Sequence, residues 1–246
     1  MYIFDVIYKL VAILKKIRMK KTFIFIILIS FVLTNCKSQT EYFAPKGIID
    51  KTEVLKNKSE WTELNNMESV DKYTRIGDSL FGGEIACNVK PLSGIDTKSF
   101  KVLAGTKYAK DKNHVFYPIE IKCIDYQDCG VCYYGKIIVE SANPKTFKYL
   151  GKDYASDGIN AFFRGIQIKD ADGKSFKVIN GPDYFYFSVD KNNVYIHSDI
   201  FKSADAKTFY YNKDDKRNIG DVFIIGDKNR EWEFIPPSSI KEIEKK

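Results

Sequence analysis

Histidine is nearly missing from this chain. Two occur among 246 residues, His114 and His197. General-base and metal chemistry near neutral pH usually leans on imidazole, so their scarcity leaves little room for a hydrolase or a metalloenzyme. Both sit in or beside hairpin turns, where a histidine needs no chemical role. A glycine-rich phosphate loop, a nucleophile elbow and a His-carboxylate-nucleophile set are also missing at any recognisable spacing. Asp170-Ala171-Asp172-Gly173 opens like a calcium loop but lacks the later ligands, so neither a metal nor a cofactor is expected. A basic stripe is missing too. The formal net charge is +7, but six basic residues and one acid fall within residues 1–35, leaving 33 basic against 31 acidic residues beyond them. A nucleic-acid partner is therefore not expected. Finally, no apolar run approaches the roughly 20 residues that span a bilayer, the longest being Thr22 to Leu33.

That short run reads as a targeting signal. Met19-Lys20-Lys21 supplies a basic start, Thr22 to Leu33 an apolar middle, and Thr34-Asn35-Cys36 an end. Residues 1–35 are read as the signal segment, with translation expected to start at Met19. Residues 1–18 form a second apolar and basic stretch before a signal already complete. Leu33-Thr34-Asn35-Cys36 resembles a bacterial lipobox, although Asn35 stands where Gly, Ala or Ser is usual. The resemblance implies that Cys36 is lipidated and begins the mature protein, making the membrane a partner through that anchor. Lys37 rather than an Asp follows, which points to the outer rather than the inner membrane. Residues 36–70 are expected to be a lipid-anchored tether with a helical turn or two near Ser59 to Asn66.

Beyond the tether the chain repeats itself. Asp/Asn-x-Lys-Ser/Thr-Phe occurs at Asp96 to Phe100, Asn143 to Phe147, Asp172 to Phe176 and Asp205 to Phe209. Each copy is followed by a turn signal, beginning at Asp111, Asp157, Asp190 and Asp227. Three residues before each of these Asp residues stands Tyr108, Tyr154, Phe187 or Ile224. Polar residues that tolerate left-handed backbone, set between aromatic and β-branched runs, predict a β-hairpin in every unit. The first element predicts a tight turn or a single helical turn, Asp or Asn offering an oxygen to backbone donors and Phe plugging the core between units. All of these residues are expected to be structural, because a repeat must stack before it can do anything else.

Asp-Lys-Asn-x-Val-Tyr/Phe, preceded by Tyr-Ala-x-Asp and by Asp-x-Lys-Thr-Phe, resembles the DKNYY repeat family of bacterial envelope proteins over roughly residues 71–236. The resemblance implies a repeated β-rich module in exported proteins and supplies no catalytic residues. The second copy departs from it, with Gly158-Ile159 where Lys-Asn is expected. The predicted fold is all-β: repeated hairpin units in an antiparallel meander, solenoid-like or propeller-like, over residues 71–236, followed by a charged tail at 237–246. Eighteen Phe and 16 Tyr suffice for a sizeable core.

One stretch stands outside the repeat. Asp157 to Phe176 and Asp190 to Phe209 each span nineteen residues, while Asp111 to Phe147 spans thirty-six, so the first full unit carries an extra seventeen, around Pro118 to Tyr134. Loops absorb insertions and carry function. This one holds Cys123, Cys129 and Cys132. An exported chain meets an oxidising compartment, so the cysteines after Cys36 are read as two disulfides. Four cysteines allow three pairings; aligning adjacent units suggests Cys87 with Cys123, leaving Cys129 with Cys132. Aromatic doublets such as Phe116-Tyr117, Tyr133-Tyr134 and Tyr184-Phe185-Tyr186 cannot turn both rings to one core, so either both sheet faces are covered or rings are exposed. Tyr133 and Tyr134, in the insertion, are the candidate ligand-binding residues for a glycan or an envelope protein. The expected function is a non-catalytic envelope lipoprotein that binds or scaffolds. The alternative is an envelope thiol-disulfide enzyme using Cys129 and Cys132.

Overall fold

The computed structural model describes residues 46–86, 89–126, 129–179, 181–182, 187–237 and 239–245, with the backbone alone at Tyr126 and Cys129. Its strands are short because the sequence breaks every apolar run after three to six residues with a turn. β1 (Ile49–Asp50), α1 (Thr52–Leu55), β2 (Trp61–Glu63), β3 (Glu68–Val70), β4 (Tyr73–Ile76) and β5 (Ser79–Gly82) come first. They are followed by β6 (Lys101–Leu103), β7 (Tyr108–Lys110) and β8 (Val115–Phe116), then by an inserted pair, β9 (Ile121–Tyr126) and β10 (Cys129–Tyr134). Three consecutive meanders complete the chain. They are β11 (Lys148–Gly151) to β14 (Ile166–Gln167) through β12 (Tyr154–Ser156) and β13 (Ala161–Phe163), β15 (Lys177–Ile179) to β18 (Asp199–Ile200) through β16 (Phe187–Val189) and β17 (Val194–Ile196), and β19 (Tyr210–Tyr211) to β22 (Ser239–Ile243) through β20 (Phe223–Gly226) and β21 (Glu231–Ile235).

The protein is all-β and built of antiparallel hairpins, as the repeat predicts; five sheets have four strands and the inserted pair has two. The third, fourth and fifth sheets are plain meanders in chain order. The first two exchange a strand. β1 pairs in parallel with β3 in the order β1-β3-β4-β5, while β2 crosses to pair with β6 in the order β2-β6-β7-β8. Residues 46–70 are therefore part of the folded body and not a tether. Trp61–Glu63 is strand where a helical turn was expected, because its partner β6 lies forty residues on, beyond any local signal. The expected charged tail likewise contains β22, paired with β21 from Glu231↔Ile243 to Ile235↔Ser239.

Successive residues of each second strand face opposite ways, and the cores lie between successive sheets. Tyr108 faces the third sheet while Ala109 faces the first; Tyr154 and Ala155 divide in the same way one unit later. The small Ala leaves room for its own unit's plug: Phe100 shares a cluster with Ala109 and Phe116, and Phe147 with Ala155 and Phe162. Each plug also meets the large ring of the preceding unit. Tyr73–Phe100, Tyr108–Phe147, Tyr154–Phe176 and Phe187–Phe209 lie 5.6, 5.2, 5.7 and 5.6 Å apart between centroids, in tilted or edge-on contact. All four Phe residues are buried, as the repeat predicts. The aromatic doublet Phe116-Tyr117 is buried on both faces as well.

The repeated Asp is the polar counterpart of the plug. Asp111, Asp157, Asp190 and Asp227 are all buried. One oxygen of each accepts the backbone N–H groups two and three residues ahead, at 2.6 to 2.9 Å. The other accepts the N–H of the unit's first turn, from Asp96, Asn143, Asp172 and Asp205 at 2.7, 3.1, 2.8 and 2.8 Å. A buried carboxylate engaged by three backbone donors locks two turns of one unit together. Around it, Lys112, Lys191 and Lys228 pair with Asp96, Asp172 and Asp205. In the second copy both ends of that pair are gone together, Gly158 standing for Lys and Asn143 for Asp, while the Asp157 bonds stay. The buried network tolerates loss of the exposed ion pair, as expected for one in open solvent.

Candidate functional site

The insertion folds as a hairpin, not an open loop. β9 and β10 pair in antiparallel register with Cys123 opposite Cys132, Lys122 opposite Tyr133 and Ile121 opposite Tyr134. Residues 137–139 then return to the second sheet, Ile138 bridging Phe116, and take the place that β14 and β18 hold in later units. Cys123 and Cys132 are joined by a disulfide, with Cα atoms 4.1 Å apart. This corrects the expected pairing of Cys87 with Cys123 and Cys129 with Cys132. The hairpin's own register brings Cys123 and Cys132 face to face, and an alignment of repeat units cannot see an element that other units lack. Cys87 lies outside the described residues, as do Cys36 and the side chain of Cys129.

Alternation gives the hairpin two faces. Ile121, Cys123, Cys132 and Tyr134 share one; Lys122, Ile124, Val131 and Tyr133 share the other. The first face docks on the first sheet. Tyr134 is 7% exposed; its ring lies edge-on to Tyr73 at 5.2 Å, and its hydroxyl donates to the Asp71 carbonyl at 2.7 Å. Gly82 and Gly83 make this approach feasible. A Cβ on Gly82 would lie 2.4 Å from the Tyr134 Cδ2, and one on Gly83 would lie 2.5 Å from the Tyr133 Cα. Glu84 completes the clamp. Its N–H donates to the Cys132 carbonyl at 2.8 Å, and its carboxylate accepts the Cys132 N–H at 3.3 Å and pairs with Lys72. Lys72 and the Cys132 N–H together hold the Glu84 carboxyl below its usual range.

A cleft of about 420 Å³ lies beside this docked face, lined among others by Asp50, Glu53, Asp71, Ile121, Cys132 and Tyr134. Burial pushes the Asp71 carboxyl up, against the pull of the Gly105 and Lys107 N–H groups, with Asp50 adding to the rise. The other face borders a separate groove of about 430 Å³, lined by residues 89–93 together with Lys122, Ile124 and Tyr133 to Gly135. The two expected ligand-binding residues thus part company: Tyr134 belongs to the core, while Tyr133 lies half-buried in the groove wall. The missed contributors are the Gly82-Gly83 doublet and the segment from Val89 to Ser93. The doublet was the available signal, since two glycines ending a strand mark a close approach of something else.

The histidines sit in turns, as expected. His114 closes the Asp111 turn, with its Nδ1 4.0 Å from the Asp111 carboxylate. His197 occupies a hairpin turn at φ 56° and stacks on Phe163 at 5.2 Å. Among the described residues no group of three or more His, Cys, Asp or Glu is placed to hold a metal ion, and no helix is long and apolar enough to cross a membrane. Compared with known proteins, the chain matches the model of the DKNYY family over residues 1–120 and 122–199. No curated protein and no solved structure matches it.

Proposed function

The chain belongs to the DKNYY family, and from that premise we propose that it is a non-catalytic binding or scaffold module, held at the cell envelope by a lipid on Cys36. The observation that carries the reading is the destination of the polar chemistry. The recurring carboxylates of Asp111, Asp157, Asp190 and Asp227 are engaged by the fold's own backbone N–H groups. The one inserted element with a hairpin of its own is β9–β10, and a groove lies beside it. A constant scaffold with one individual surface is the arrangement of a binding protein on a repeat frame. The expected partners are a glycan or an envelope protein, with the outer membrane as the site of anchoring. A thiol-disulfide enzyme using Cys129 and Cys132 would need Cys132 free to pair with Cys129, whereas Cys132 is bridged to Cys123.

Two measurements test this. Cys36→Ala is expected to release the protein from the membrane fraction and abolish acyl labelling, because a lipid chain would be the holding device; tight membrane association of the variant would overturn the anchor. Thiol titration of the exported protein is expected to find the Cys123–Cys132 bridge stable against exchange. Rapid exchange with a dithiol, coupled to reduction of a second protein, would overturn the non-catalytic reading.

A further inference from the structure

The groove on the Tyr133 side of the hairpin has a chemistry of its own. Tyr133 and Lys122 are direct cross-strand partners, so a half-buried aromatic ring and an ammonium stand side by side on one face. Lys90 and Ser93 line the facing rim, and Leu92 and Ile124 add apolar lining. Among the described residues that line the groove none is acidic, in contrast to the cleft on the docked face with Asp50, Glu53 and Asp71. The rim is held in place: the Leu92 N–H donates to the Leu80 carbonyl of β5 at 2.7 Å. Lys122 is positioned too. Its stem lies so close over Gly135 that a Cβ there would come within 2.9 Å of its Cε. Among the described residues its ion-pair partner is Glu120 at 3.6 Å, and since both side chains are about half exposed that pair exchanges readily.

We infer that this groove binds an acidic saccharide, a sugar chain bearing carboxylates. The Tyr133 ring offers a flat face for the sugar's C–H surface, while Lys122 and Lys90 take the carboxylate from the two sides and Ser93 meets a hydroxyl. A volume of about 430 Å³ falls in the range of ordinary small-ligand sites. The inference rests on the binding-module reading and names the ligand class for its one individual surface.

The test uses the full chain in detergent, with hexagalacturonate as probe, its methyl ester as the uncharged counterpart and hexaglutamate as an acidic peptide. Hexagalacturonate is expected to bind about tenfold or more tightly than either control, with affinity falling as salt rises. Lys122→Gln is expected to lower that affinity about tenfold, Gly135→Ala to lower it by displacing the Lys122 stem, and Tyr133→Ala to abolish it. Tyr133→Phe keeps the ring and is expected to bind. Circular dichroism confirms the fold of each variant. Equal binding of the ester would show that charge is irrelevant, and equal binding of hexaglutamate that sugar is; either overturns the inference. If hexagalacturonate fails to bind while a neutral glycan or an envelope protein binds and is lost in Tyr133→Ala, the saccharide inference falls and the binding-module reading stands. If no ligand of any class is sensitive to Tyr133→Ala, both fall.

Discussion

The third and fourth sheets follow one plan, whereas the first two share strands and carry an inserted hairpin. In the third and fourth, a plug Phe, a large ring on the second strand and a buried Asp recur at matching positions. In the first pair the second sheet has the same parts, Phe100, Tyr108 and Asp111, while among the described residues the first has the ring alone, Tyr73. Tyr108 and Tyr154 each donate their hydroxyl to a turn carbonyl of the following unit, those of Asp153 and His197. Tyr73, the corresponding ring of the first unit, is fully buried, and among the described residues its hydroxyl has no partner. The first hairpin turn of the second unit, Ala104 to Lys107, has four residues where Lys152-Asp153 has two, and the Tyr134 ring of the inserted hairpin lies against the Tyr73 ring. The ring hydroxyls of Tyr108 and Tyr154 thus find a partner in the next unit, whereas the one beside the inserted hairpin does not.

The largest effect that sharpens this contrast comes from the rings. Phe176→Ala in the regular part and Tyr134→Ala in the insertion are each expected to cost about 3 to 5 kcal/mol in urea unfolding, since both remove a buried ring. Tyr133→Ala, one residue away on the other face, is expected to cost less than about 1 kcal/mol. A mild Tyr134→Ala would mean that the hairpin is merely appended to the first sheet.

Next comes the buried carboxylate. At Asp190, burial raises the pKa, but the N–H groups of Asp172 and Asn192, the Tyr195 hydroxyl and the Asn193 N–H outweigh it and bring it below the ordinary 3.8. Asp227 is lowered by the same balance of burial against backbone donors. A carboxylate whose folded pKa is depressed contributes stability that is complete above the unfolded value and is lost as pH falls through the folded one. Unfolding free energy is therefore expected to fall as pH drops below about 4, and Asp190→Asn should flatten that dependence while costing about 2 kcal/mol at pH 7. Unchanged acid sensitivity in Asp190→Asn would remove this carboxylate from the account.

The smallest effect probes the break most directly. Tyr108→Phe is expected to cost about 1 kcal/mol, because the Gly165 N–H also donates to the Tyr108 hydroxyl and would be left without a partner. Tyr73→Phe is expected to be neutral or slightly stabilising. Equal losses at the two positions would show that the first unit is as well satisfied as the second.

Much of this was legible in the chain. Asp-x-Lys-Ser/Thr-Phe and the Asp that follows it marked the turns, the plugs and the unit boundaries, because repetition multiplies a weak local signal four times over. What escaped were pairings without a counterpart in other units. β1 and β2 are two and three residues long and find partners by long-range pairing, so no window of sequence announces them. Ser239 to Ile243 reads as a charged tail because its Lys and Glu face solvent on an edge strand, as edge strands commonly arrange. The disulfide follows from the register of a hairpin whose existence the repeat did not imply, and Tyr134 was a candidate ligand-binding residue because its burial depends on two glycines fifty residues away.

The crossing of β2 sets how such a chain can change length over generations. Behind Ala142 each sheet is drawn from one continuous stretch, so a whole unit can be copied or dropped as a cassette and its neighbours still meet a matching ring and plug. Ahead of that point the segment from Ile49 to Val70 weaves through two sheets, and a crossover anywhere between them would strip an edge strand from one while orphaning the other. Removing a later unit whole is therefore expected to leave a chain that folds, whereas a cut within the first two sheets is not.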